Sequence, residues 1–203
     1  MGREVGAGIV GITSALAGAK EVVLSDYPSQ KILANLRSNV ERNIPQRSQG
    51  KVPAQPHEWG VLTDSFSKAN ANHFTRILVA DCLWLDGEHY GLAQSIEHFL
   101  SPKAEARAWV IAGFHTGRPK LVAFFDIAVQ AGLEIEAIWE RDADGGERIW
   151  ERERVDMEKN RWMVVAILRQ KGGEGVKEGE EIEKERQERV FSSILMQKNN
   201  RHP

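Results

Sequence analysis

The sequence predicts an α/β fold, an open sheet wound by helices and closed at its far edge by an antiparallel hairpin. Three observations carry this. A glycine cluster, Gly6-Ala7-Gly8 with Gly11 behind it, opens a helical stretch and precedes a β-branched run ending at Asp26. Apolar runs of strand length then alternate with helical periodicity up to Gly132. Finally, two apolar runs, 133–140 and 161–169, follow each other with a loop of about twenty residues between them. Without an intervening helix they pair antiparallel. The sum is a Rossmann-like sheet.

The elements follow in order. Gly8 to Ala17 is rich in Ile, Val, Ala and Gly, which suits a helix seated tightly on a sheet, and Gly18 ends it. Glu21–Ser25 reads as a buried parallel strand. Residues 30–43 place Ile32, Leu33, Leu36 and Val40 on one helical face. Lys51–His57 is expected at a sheet edge, because Pro53 and Pro56 remove two ladder donors. Residues 61–73 read as a polar loop or short helix. Thr75–Ala80 is expected as a central strand, and Glu88–Leu100 as a helix with Leu92, Ile96 and Phe99 inward. Ala108–Gly113 is the next strand, and Pro119 starts a helix that runs to Ala131. From Lys171 the composition turns to Gly, Glu, Lys and Arg, so residues 1–170 are expected as the domain. Residues 171–203 are expected as a disordered or isolated helical tail.

Bulk properties narrow the classes. The 203 residues, 41% hydrophobic and 28% charged, fit one soluble α/β domain. A formal charge of −2 carries no general signature of nucleic-acid binding. One cysteine, Cys82, precludes an intramolecular disulfide or a cysteine-rich metal site. No apolar run approaches the roughly 20 residues that cross a bilayer. The expectations are therefore a cytoplasmic monomer with no membrane, nucleic-acid or metal partner.

The candidate site lies where the strands end. Glycines let backbone approach a ligand closely, and a carboxylate at a strand tip can accept hydrogen bonds from two ribose hydroxyls. Gly6, Ala7, Gly8 and Asp26 fit those roles; Asp26 could instead cap the next helix, but its place at a strand's carboxyl edge favours ribose binding. Trp59, followed by Gly60, suits stacking against an adenine or ordinary packing. Ala80 and Asp81 border the same crevice, since open sheets bind ligands off the carboxyl ends of their strands. Trp84 and His115, at two later strand ends, are candidates to face a substrate; His115 can instead be a helix-capping loop residue. Nicotinamide, flavin and S-adenosylmethionine domains all use such glycine loops. The closing hairpin favours the last of these.

Six stretches carry a resemblance. They are residues 4–12, Val22-Val-Leu-Ser-Asp-Tyr-Pro28, residues 35–43, His57-Glu-Trp-Gly60, Ala80-Asp-Cys-Leu-Trp84 and Ala112-Gly-Phe-His-Thr-Gly-Arg118. From residue 4 to Arg169 the chain resembles S-adenosylmethionine-dependent protein methyltransferases of the lysine-methyltransferase-like group. The nearest branch in character is the fungal N-terminal and lysine N-methyltransferases. The resemblance implies a class I methyltransferase sheet of order 3-2-1-4-5-7-6, with S-adenosyl-L-methionine as cofactor. It also implies a protein substrate, translation elongation factor 1-alpha, methylated at its N-terminal amine and a lysine. Gly6, Ala7, Gly8, Asp26, Trp59 and Ala80 would contact the cofactor.

Such a reaction displaces an already activated leaving group, so positioning and exclusion of water matter most. An α-amine, with a pKa of about 7.7–8.0 against about 10.4 for lysine, needs no strong base to become neutral. The chain departs from the group in two places. Gly8 runs directly into Ile9-Val10 where two small residues are usual, and strand 1 is expected to be largely missing before the loop. An N-terminally incomplete, catalytically impaired remnant that serves as a binding module is therefore the alternative expectation. An NAD-dependent oxidoreductase ranks third, for want of a hydride-transfer pair.

Overall fold

In the computed structural model the described residues are 8–49, 51–155 and 161–173. Gly6, Ala7 and the tail from residue 174 onward lie outside them. The helices are α1 (Ile9–Leu16), α2 (Gln30–Asn43), α3 (Gln46–Gln49), α4 (Ser65–Ala69), α5 (His89–Phe99) and α6 (Arg118–Gln130). The strands are β1 (Leu24–Asp26), β2 (Ala54–Pro56), β3 (Arg76–Ala80), β4 (Arg107–Gly113), β5 (Leu133–Asp142), β6 (Glu147–Ile149) and β7 (Trp162–Gln170).

They form two sheets, a parallel pair β1-β2 and a five-stranded sheet of order β3-β4-β7-β5-β6. β3 and β4 run parallel, while β7 runs antiparallel between β4 and β5. The expected closing hairpin is therefore present. β3, expected as central, is instead an edge strand, because among the described residues nothing pairs between it and β1. β6 is an addition: three residues of the long loop fold back on Trp139–Arg141.

Each sheet has its own core. Ile12 of α1, Leu24 of β1 and Leu36 and Val40 of α2 form one cluster. The larger one packs α5 and α6 on the inner residues of β3, β4 and β7, with Ala108, Val110, Phe114, Leu121, Phe124 and Leu168 fully enclosed. The glycines of α1 set its distance from β1. A Cβ on Gly11 would lie 2.0 Å from Leu24 Cδ2, and one on Gly8 would lie 2.5 Å from Leu36 Cδ1.

β5 carries a bulge between Ile135 and Ala137. Before it, Leu133 and Ile135 face the helices; after it, Ala137 and Trp139 join Val165 and Ile167 on the opposite face. A one-residue insertion reverses which residues face which layer. This explains why simple alternation fails along 133–140. It also turns the carboxylate of Glu140 inward, fully buried, where Arg118 Nη1 donates to it at 2.8 Å and Arg148 Nε at 2.6 Å. The Arg118 guanidinium in turn lies over the rings of Phe114 and Trp150. Removing one partner strands a buried charge, so Glu140→Ala is expected to lower unfolding free energy by about 3–5 kcal/mol in urea titration. The double variant Glu140→Met/Arg118→Met should lose distinctly less.

Candidate functional site

The carboxyl ends of β1 and β3 bring the sequence-predicted residues together. Gly8 sits just before α1 at φ +73°, a conformation that favours glycine, and it lines a cavity of about 310 Å³ with Asp26 and Ala80. The Asp26 side chain is buried at the tip of β1, and Oδ1 accepts the Tyr27 amide at 2.7 Å. Burial pushes its carboxyl above the ordinary 3.8, partly offset by that hydrogen bond.

Trp59 lines a small second recess of about 20 Å³ with Asp26, Tyr27, His57 and Leu85. Its position is fixed from behind. Gly60 takes φ +81°, and a Cβ there would lie 2.9 Å from Gly91 Cα; the converse Cβ on Gly91 would lie 2.8 Å from the Trp59 carbonyl. Two glycines thus let the Trp59-Gly60 turn touch α5. The Gly60 amide donates to Ser95 Oγ at 2.9 Å, and His57 Nε2 lies 2.9 Å from the same oxygen. His57 is itself buried beside Phe66 and Phe99.

Asp81 follows β3 at φ +54°, unusual for a residue with a side chain. Its Oδ1 accepts the Gly113 amide at 3.3 Å, which ties the ends of β3 and β4 together. Cys82 lines the larger cavity, and burial, followed by the charges of Asp26 and Asp81, pushes its thiol up to about 12. Trp84 is half-buried and His115 exposed, and neither lines the two cavities just described. The His115 ring folds against Gly113, where an added Cβ would meet Nδ1 at 2.9 Å. The structure therefore brings Gly8, Asp26 and Ala80 to one cavity and Trp59 with Asp26 to the smaller recess beside it, while Asp81, next to Ala80, is exposed and lines neither.

The supporting contacts of His57, Gly91, Ser95 and Arg118 escape sequence reasoning, although His57 and Arg118 stand in two of the resembling stretches. His57 and Ser95 lie thirty-eight positions apart, and only the tertiary fold pairs them. The Gly91 signal was available, since a glycine near the start of an otherwise regular helix suggests a close backbone approach.

The architecture matches that of methyltransferase domains. The methyltransferase domain of the bacterial protein CtHen1-CN superposes with a TM-score of 0.52 at 13% identity, over 81% of this chain and 86% of that one. At that identity the likeness concerns the fold alone. The family is shown by sequence: residues 4–130 match the model described as lysine methyltransferase, and the chain belongs to that family. It is 34% identical over 144 residues to the protein N-terminal and lysine N-methyltransferase efm7 of Schizosaccharomyces pombe, over 66% of this chain and 54% of that protein. It is 38% identical over 96 residues to the protein N-lysine methyltransferase METTL21A of Mus musculus, over 47% of this chain and 41% of that one. The chain spans about half the length of the curated relatives it matches.

The network behind Trp59 has a pH signature. Burial holds the His57 imidazole below its ordinary 6.5, against the pull of Asp64. The unfolded chain binds that proton first, so stability should fall as pH drops from 6.5 towards the lower folded value. Urea midpoints measured from pH 7.5 to 5 should show this decline, and it should flatten in His57→Phe.

Proposed function

We propose that this chain is an S-adenosyl-L-methionine-dependent protein N-methyltransferase whose acceptor is an N-terminal α-amine or a lysine. The observation that carries it is the convergence of Gly8, Asp26, Trp59 and Ala80 at the ends of β1 and β3, in a chain of the lysine methyltransferase family. The names of the fission-yeast and mouse relatives support an amine of a protein as acceptor. The motif resemblance puts translation elongation factor 1-alpha first among substrates to assay.

The residues fit such a cofactor. Gly8 supplies backbone with no Cβ to hold a ligand away, and its positive φ and the nearby Leu36 both resist any side chain there. The Asp26 carboxylate, raised in pKa by burial, suits hydroxyl donors of a ribose, as hydrogen bonds to a charged acceptor are the strong ones. Trp59 offers an indole on a turn whose backbone is held by Gly91 and Ser95, which suits stacking on an adenine. Ala80 leaves room at the tip of β3, and Asp81 locks that tip to Gly113. When bound, the cofactor would supply an activated methyl group for displacement by a neutral amine. Trp84 and His115 then stand as candidates to face the protein substrate. Gly6 and Ala7, which lie outside the described residues, are proposed as further cofactor contacts from the motif resemblance alone. The protein is proposed to act in the cytoplasm as a monomer.

The test is transfer of labelled methyl groups to peptides carrying the elongation-factor N-terminus, with and without a blocked α-amine. Label at the free amine or a nearby lysine supports the proposal, and absence of label at any protein amine counts against it. Asp26→Asn should raise the cofactor Kd about 10- to 100-fold, the equivalent of about 1.5–3 kcal/mol for a hydrogen bond to a charged group. Because the bound form requires the carboxylate, wild-type affinity should weaken as pH falls through the raised pKa, at a higher pH than an ordinary aspartate gives. Asp26→Asn should show no such slope.

A further inference from the structure

His57 links the two halves of the candidate site. Its backbone amide donates to the Asp26 carbonyl at 2.8 Å, which ties it to the tip of β1. Its ring leads the other way, through Ser95 Oγ, to the Trp59-Gly60 turn. That ring is buried, with Phe66 and Phe99 packed against it. Each ring nitrogen must therefore find its partner within the protein.

The two nitrogens face different kinds of group. On the Nδ1 side Ser67 Oγ lies at 3.4 Å and Asp64 Oδ2 at 3.8 Å. Asp64 caps α4: Oδ1 accepts the Ser67 amide and Oδ2 the Ser67 hydroxyl, both at 2.8 Å. The Ser67 hydrogen has a second acceptor in the Val61 carbonyl at 3.0 Å. An ionised carboxylate only accepts, and the Ser67 hydrogen is directed at acceptors of its own. Nδ1 thus meets lone pairs, which places the single proton of the neutral ring on Nδ1 and leaves Nε2 as an acceptor.

Ser95 completes the sequence of bonds. Its hydroxyl donates to Nε2 across 2.9 Å, and its oxygen accepts the Gly60 amide at 2.9 Å. The opposite tautomer sets a second donor against an oxygen that already accepts from Gly60. It also leaves Nδ1 facing a carboxylate with no proton between them. Carboxylate, imidazole and hydroxyl stand in the order of a hydrolytic triad. Here Ser95 is buried and its oxygen is taken by a backbone amide, so the arrangement holds a turn and attacks nothing.

We propose that Asp64, which lines neither cavity, is a positioning residue for Trp59: it fixes the tautomer of His57, His57 fixes the hydroxyl of Ser95, and Ser95 holds the Gly60 amide. The turn that presents the indole is thereby set by a side chain outside the site. Its bearing on a cofactor rests on the reading of Trp59 as a platform for adenine.

A double-mutant cycle on the full chain tests this, because Asp64 and Ser95 approach His57 from opposite nitrogens. Asp64→Asn keeps a good helix cap but offers Nδ1 a donor as well as an acceptor, which frees the tautomer. Ser95→Ala removes the link to Gly60. The readout is hydrogen exchange of the Gly60 amide by nuclear magnetic resonance with no ligand added, and the amides of β4 report global opening. Asp64→Asn should speed Gly60 exchange about threefold to tenfold, the worth of one neutral hydrogen bond, and should add nothing in the Ser95→Ala background. If Ser95→Ala does not fold, His57→Phe takes its place in the cycle with the same expectation. Additive effects show that Asp64 merely caps α4 and overturn the proposal, as does unchanged Gly60 exchange in Asp64→Asn. The affinity for S-adenosylhomocysteine should fall by a similar factor in Asp64→Asn, and a fall without faster Gly60 exchange also overturns the proposal. If the wild-type chain does not bind S-adenosylhomocysteine, the cofactor reading fails and the Gly60 cycle still decides this one.

Discussion

The backbone ladder on both edges of β4 organises the five-stranded sheet and the helices packed on it. Parallel pairing with β3 sets the strand ends that face the candidate site. Antiparallel pairing with β7 closes the far side of the sheet and gives α5 and α6 a continuous apolar floor. β1 and β2 stand outside this ladder, held by a separate cluster around Leu24 and Leu36. The site lies where the two units meet. Its geometry therefore rests on the fit of α1 against β1, which Gly8 and Gly11 make possible by lacking side chains where Leu24 and Leu36 stand.

Much of this fold is legible in the residues. α2 spans Gln30–Asn43 as its periodicity indicates, with Leu33, Leu36 and Val40 buried. The same is true of α5, where Leu92, Ile96 and Phe99 face the core. The closing hairpin follows from the absence of a helical pattern between two apolar runs. Illegible features have local physical causes. β6 is the tripeptide Glu-Arg-Ile, with no apolar alternation to mark it, and it forms because β5 is long enough to receive it. The bulge at Glu136 reverses β5 faces with no Gly or Pro to announce it. β3 has the composition of a central strand, and its place at an edge follows from pairing alone.

The candidate site divides in the same way. Asp26, Trp59 and Ala80 are legible as to place, because the apolar runs and turn residues locate the strand ends where the structure has them. The support behind them is not, because His57, Ser95 and Gly91 act through contacts between distant segments. Asp81 shows a third case. Its type suggested a ligand contact, whereas its positive φ and its hydrogen bond to Gly113 reveal a bracing role between neighbouring strand ends. Backbone strain of this kind concentrates where a loop must present groups at a fixed angle.

On the proposed function, the strand ends of β1 and β3 form a cradle for an S-adenosyl nucleoside. Isothermal titration of the full chain with S-adenosylhomocysteine, and separately with NAD, decides between a cradle of this kind and its absence. Saturable heat with S-adenosylhomocysteine alone, abolished or strongly weakened in Asp26→Asn, is the expected result. Binding of NAD alone, or of neither compound, would contradict it.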